Sequence, residues 1–97
     1  MRLDFSNEFV ESLKRFDKGE RILIAKTLQK LSHSDIAMGK PLRAPLASLF
    51  TIRTGSSARL RLIYSFDNGV AKLLHVGVRS DGLVYQEVAK MLKDSKR

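Results

Sequence analysis

The stretch Arg59–Arg79, RLRLIYSFDNGVAKLLHVGVR, decides how this chain folds. Leu60, Leu62, Tyr64 and Phe66 recur every second residue, the pattern of a strand with one buried face. A second apolar run, Val70–Arg79, follows after Asp67-Asn68-Gly69, a hairpin turn signal. The length of that turn sets the register. A two-residue Asn68-Gly69 loop pairs Asp67 with Val70 and scatters large apolar groups over both faces. A three-residue loop with Gly69 left-handed in a bulge pairs Phe66 with Val70. It gathers Leu60, Leu62, Tyr64 and Phe66 with Val70, Leu74, Val76 and Val78 on one face, so the pattern predicts the longer loop. The other face then holds Thr51, Arg53, Arg59, Arg61, Ile63, Leu73, His75, Gly77 and Arg79, with Arg61 directly across from His75.

Working outward, Leu49–Thr54 reads as a third strand, joined to Arg59–Phe66 through a Gly55-Ser56-Ser57 loop and adding Phe50 and Ile52 to the core face. Met1–Asp4 is a short strand. Ser6 caps a helix with Phe9, Val10, Leu13 and Phe16 at helical spacing. Asp17 and Glu20 have the spacing of a capping box and open a second helix that runs to about Ser32, with Ile24, Leu28 and Leu31 as its core stripe. Gly39, Pro41 and Pro45 make the following segment an ordered loop or single turn. Asp81 caps a final helix bearing Val84, Val88, Met91 and Leu92, with Tyr85 at the stripe's margin, before a charged tail, Lys93–Arg97. The expected fold is α+β. Two N-terminal helices pack on one face of a mainly antiparallel sheet, a short N-terminal strand plus a three-stranded meander, with a C-terminal helix.

Composition narrows the function. At 97 residues the chain has the length of one domain, 1–97. A formal net charge of +8 points to an anionic partner, whether nucleic acid, acidic protein or anionic membrane. Cysteine is absent and only His33 and His75 could serve as soft ligands, so neither a disulfide framework nor a metal centre is expected. No segment has the length of a membrane span and the start resembles no signal peptide, which predicts a cytoplasmic protein without membrane contact.

The basic sheet face is the candidate site. One arginine on a strand's outer face is ordinarily a solubility device. Four on one face, with no acid among them, form an anion site, because guanidinium forks match phosphate oxygens. Gly77 leaves a gap there for a ligand backbone. No nucleotide-binding glycine motif, nucleophile triad or carboxylate pair occurs.

The run GKPLRAPLASLFTIRTGSSARLRLIYSF, followed by LLHVGVRSDGLVYQEVAKML, resembles the RelE/ParE superfamily of bacterial toxin–antitoxin toxins over nearly the whole chain. The resemblance implies a RelE-like fold. It also implies a type II toxin that cleaves translated mRNA on the ribosome by 2′-hydroxyl attack, without metal or cofactor, and is neutralised by a cognate antitoxin protein. The family's catalytic pattern falls on Arg53, Arg61, Arg79 and Tyr85. RelE-type members carry lysines where this chain has Thr51 and Arg53, and neither residue replaces a lysine as a base. The set expected here is therefore Arg61, Arg79, Tyr85 and His75 as catalytic residues, His75 being the proton acceptor, with Thr51, Arg53 and Arg59 binding RNA. The alternatives are a ParE-like inhibitor of DNA gyrase and a non-toxic, antitoxin-binding member.

Overall fold

A computed structural model describes residues 1–42, 49–78 and 90. Within them the chain runs β1 (Arg2–Phe5), α1 (Asn7–Leu13), α2 (Lys18–Ser32), β2 (Lys40–Pro41), β3 (Leu49–Thr54), β4 (Leu60–Asp67) and β5 (Val70–Val78). The strands form one five-stranded sheet in the order β1-β5-β4-β3-β2. Only the β1–β5 pair is parallel. Of the expected final helix from Asp81 only Lys90 is described, and it is helical; the rest of that helix and the tail lie outside the described residues.

Both helices start where the sequence says. The Ser6 hydroxyl accepts from the Phe9 amide at 3.0 Å, and Asp17 Oδ1 accepts from the Glu20 amide at 2.9 Å, each satisfying an N–H that the first turn leaves unpaired. The Asp17–Glu20 pair is not a reciprocal capping box, however. Glu20 turns away from its own helix and reaches the β3–β4 loop. Phe9 of α1 and Ile24 and Leu31 of α2 meet Leu60, Leu62, Tyr64, Ala71, Leu73 and Val76 in one buried core. Val10, expected in the stripe, is 42% exposed. Past the end of β1 the Val76 amide donates to Ser12 Oγ on α1 at 3.2 Å, so the helix completes the strand's hydrogen bonding.

The β4–β5 turn corrects the expected register. Asp67 pairs with Val70, leaving a two-residue Asn68-Gly69 loop. Both turn residues have positive φ, 50° and 75°, the primed geometry that suits the twist of a hairpin. The core is not scattered, because the strands shift register between Ile63 and Tyr64. Tyr64 faces Leu73 while Ile63 faces His75, which leaves Leu74 as an extra residue. This bulge reverses the alternation along β5. Ala71 and Leu73 therefore share the core face with Val76, and Leu73, expected on the basic face, belongs to the core. Arg61 faces Gly77, not His75.

The segment before β3 is also more regular than expected. Lys40 and Pro41 pair with Thr51 and Phe50 as an edge strand. Gly39 makes this approach feasible. Its φ is +87°, and a Cβ there would sit 2.1 Å from the Thr51 carbonyl oxygen. The Tyr64 hydroxyl holds the preceding residue, accepting from the Met38 amide at 2.7 Å and donating to the Met38 carbonyl. Among the described residues no helix is long and apolar enough to cross a membrane.

Candidate functional site

The face of β2–β5 opposite the core carries two transverse rows. One runs Lys40, Thr51, Ile63, His75, and the other runs Arg53, Arg61, Gly77. Neighbouring strands lie about 4.8 Å apart, so the cations of adjacent strands converge within one side chain's reach. The centre of the face is not the open basic surface expected from the sequence. Thr51, Ile63 and His75 are buried, whereas Arg61 is half-buried and Arg53 and Lys40 are exposed. The charge is concentrated toward β2 and the β3–β4 loop.

There the surface opens into a cleft of about 330 Å³ lined by Gly39, Lys40, Thr51, Ile52, Arg53 and Arg61. That volume is at the small end of the range for ligand sites, roughly 300–1,000 Å³. Of the six described residues that line it, three are cationic and none is acidic. Among the described residues neither Lys40 nor Arg53 has an ion-pair partner. The Thr51 hydroxyl oxygen is buried and has no hydrogen-bond partner among the described residues. An unsatisfied buried hydroxyl is costly, and a bound acceptor would relieve it. Two guanidinium groups, an ammonium and a hydroxyl donor around one concavity can hold a phosphate.

Arg59 does not belong to this set. It leaves the strand alternation with helical backbone angles, φ −83° and ψ −8°, just before β4 begins. Its guanidinium meets Glu20 Oε2 on α2 at 3.3 and 3.4 Å. Glu20 Oε1 also accepts from the Ser56 amide at 2.9 Å and the Ser56 hydroxyl at 2.7 Å. These Ser56 hydrogen bonds, and then Arg59, hold the carboxyl below its ordinary range. The cluster ties α2 to a loop in which Ser57 and Ala58 both have positive φ. Arg59 is thus held by Glu20, outside the cleft that Arg53 and Arg61 line.

Of the remaining expected residues, Arg53 and Arg61 are directly paired across β3 and β4 and share the cleft with Thr51. His75 lies in the other row, opposite Ile63 and only 5% exposed. The premise that it faces Arg61 fails, because the bulge displaces it. Arg79 and Tyr85 lie outside the described residues. Lys40 is the cationic lining residue not anticipated. The signal for it was Pro41, since a residue before proline is biased toward extended backbone and so toward strand pairing.

Neither a family model nor a curated protein matches the sequence. Solved structures do match its fold. The isolated RelE toxin of E. coli superposes with a TM-score of 0.68 at 22% identity, covering 94% of this chain and 97% of that one. The toxin–antitoxin complex RelBE2 of Mycobacterium tuberculosis contains a chain 29% identical, with a TM-score of 0.64 over 82% of this chain and 92% of that one. YoeB of Staphylococcus aureus matches at 21% identity and a TM-score of 0.58, over 77% and 92% of the two chains. The chain has the RelE-like fold.

Proposed function

We propose that this RelE-like chain is the toxin of a type II toxin–antitoxin system and acts as a ribosome-dependent endoribonuclease on translated mRNA. The observation that carries the reading is the Arg53–Arg61 pair, set across two strands in a cleft with no acid among its described lining residues. A phosphodiester placed there would be attacked by its own 2′-oxygen. The new P–O2′ bond forms as the P–O5′ bond breaks, giving a 2′,3′-cyclic phosphate; the 2′-hydroxyl proton is released to solvent, and the departing 5′-oxygen takes one up to become the 5′-hydroxyl. Negative charge grows on the non-bridging oxygens in the transition state, and Arg61 is poised to stabilise it, with Arg53 binding the substrate phosphate. A guanidinium keeps its proton, so neither arginine accepts the one that the 2′-hydroxyl loses. Arg79 and Tyr85 complete the proposed set, Arg79 adding charge and Tyr85 orienting or stacking on the substrate.

The same reading supplies a partner, an antitoxin whose acidic or mixed-charge segment folds as it covers the cationic cleft. Solved relatives of this fold include the intact E. coli RelBE toxin–antitoxin complex. The test is expression in cells, with transcript ends and DNA breaks mapped in parallel. Cuts in translated messages that vanish in Arg61→Ala support the nuclease. Gyrase-dependent DNA breaks with intact messages replace it with a gyrase inhibitor.

A further inference from the structure

We propose that Lys40, on the edge strand β2, is a substrate-binding residue of the cleft and contacts an RNA backbone phosphate together with Arg53 and the Thr51 hydroxyl. The assignment rests on reading the cleft as an RNA site. A lysine followed by proline on an edge strand has a simpler role, since charge and a missing N–H both discourage another chain from pairing there. Edge protection accounts for Pro41 and for some charge at position 40. It does not account for where Lys40 is held.

Its Cα faces that of Thr51, whose hydroxyl oxygen is buried without a partner among the described residues. Arg53 follows two residues along the same face of β3, about 7 Å away at strand rise. All three line one concavity. The approach of β2 is fixed closely: the Gly39 position excludes any side chain against the Thr51 backbone, and Tyr64 clamps Met38 just before it. A long ammonium side chain anchored at its base beside an unsatisfied hydroxyl and a second free cation is suited to a tetrahedral oxyanion. Like charges around one concavity repel, so a phosphate between them relieves both the repulsion and the buried hydroxyl. The ligand is the single-stranded phosphodiester backbone, read through charge rather than base identity.

The probe is a short fluorescent oligoribonucleotide bearing 2′-O-methyl groups, which has no attacking hydroxyl. Its affinity for the full chain is measured by anisotropy across salt concentrations, for the parent and for Lys40→Ala, Lys40→Arg and Lys40→Glu. Losing one phosphate contact should lower the slope of log affinity against log salt by about 0.7. Lys40→Ala should bind about tenfold more weakly, the lower end for losing a hydrogen bond to a charged group. Lys40→Arg should stay near the parent and Lys40→Glu should fall below Lys40→Ala. Edge protection alone predicts the opposite for Lys40→Glu, which keeps a charge on the edge and would bind like the parent. That result, or equal slopes for parent and Lys40→Ala, or no salt-dependent binding by the parent, overturns the assignment. Melting temperatures confirm that the exposed substitutions leave the fold intact. Cleavage on programmed ribosomes separates the two claims. A parent that binds through Lys40 yet leaves messages uncut removes the nuclease and keeps the lysine, whereas equal cutting with and without Lys40 does the reverse.

Discussion

Tyr64→Phe should loosen the cleft from behind. The ring is fully buried and stacks on Phe50 with centroids 5.6 Å apart, and phenylalanine preserves that packing. Only the hydroxyl is lost, and with it both hydrogen bonds to the Met38 backbone. A net value near 1 kcal/mol for each gives about 2 kcal/mol. Met38 is half-buried, so water can reach its freed amide and carbonyl and hold the cost near this figure. For a chain of this size that is a fall in melting temperature of about 8–16 °C. Calorimetry at neutral pH measures it. Oligoribonucleotide binding should weaken too, because Met38 leads directly into Gly39 and Lys40. Burial pushes the Tyr64 hydroxyl above its ordinary value of 10.0, outweighing the Met38 hydrogen bond that lowers it. Stability from the neutral phenol is present below that value and lost as pH rises through the raised one. The parent–variant gap should therefore narrow only in strong alkali. A melting temperature within about 2 °C of the parent, a small part of the shift expected for lost hydrogen bonds, together with unchanged binding, would refute the clamp.

Three further outcomes are expected. Glu20→Gln weakens the tie between α2 and the β3–β4 loop. The carboxyl is held below its ordinary value of 4.5, so its contribution is present above that pH and lost as pH falls through the lowered value; the stability gap to the parent should close in acid, as thermal melts across pH will show. Gly39→Ala forces a Cβ against the Thr51 carbonyl at a positive φ, so it should displace β2, raise hydrogen exchange there and lower oligonucleotide binding at least as far as Lys40→Ala. His75→Gln should cut ribosome-bound message within a few-fold of the parent's rate, given its burial opposite Ile63, whereas Arg61→Ala should lose a factor on the order of 10² to 10³; an equal loss in both would restore His75 as the base.

Most elements were legible because local chemistry specified them. Ser6 and Asp17 mark helix starts, alternation marks β3 and β4, and Asn68-Gly69 marks the turn. The register was not, because Leu73 and Leu74 are both apolar and a strand pattern fits either one inward. Only the bulge, set by contacts with β4 and α1, decides between them. Arg59 escaped for a related reason. Alternation counts it with Arg61, but its backbone has left the strand, and its partner Glu20 is 39 residues away in sequence. Arg53, Arg61 and Thr51 could be placed on one face from parity alone. Lys40 left only the weak signal of the proline that follows it, since a two-residue edge strand has no period to detect and forms through pairing with β3.

The central claim, an arginine-lined cleft that cuts translated message, meets its most direct test in transcript-end mapping after induction of the parent and of Arg61→Ala in the same cells. New 5′-hydroxyl ends should appear in phase with codons within translated regions, be absent from untranslated RNA and fall on the order of 10²-fold or more in the variant. Growth arrest by the parent with messages intact, or cuts that persist undiminished in Arg61→Ala, would contradict it.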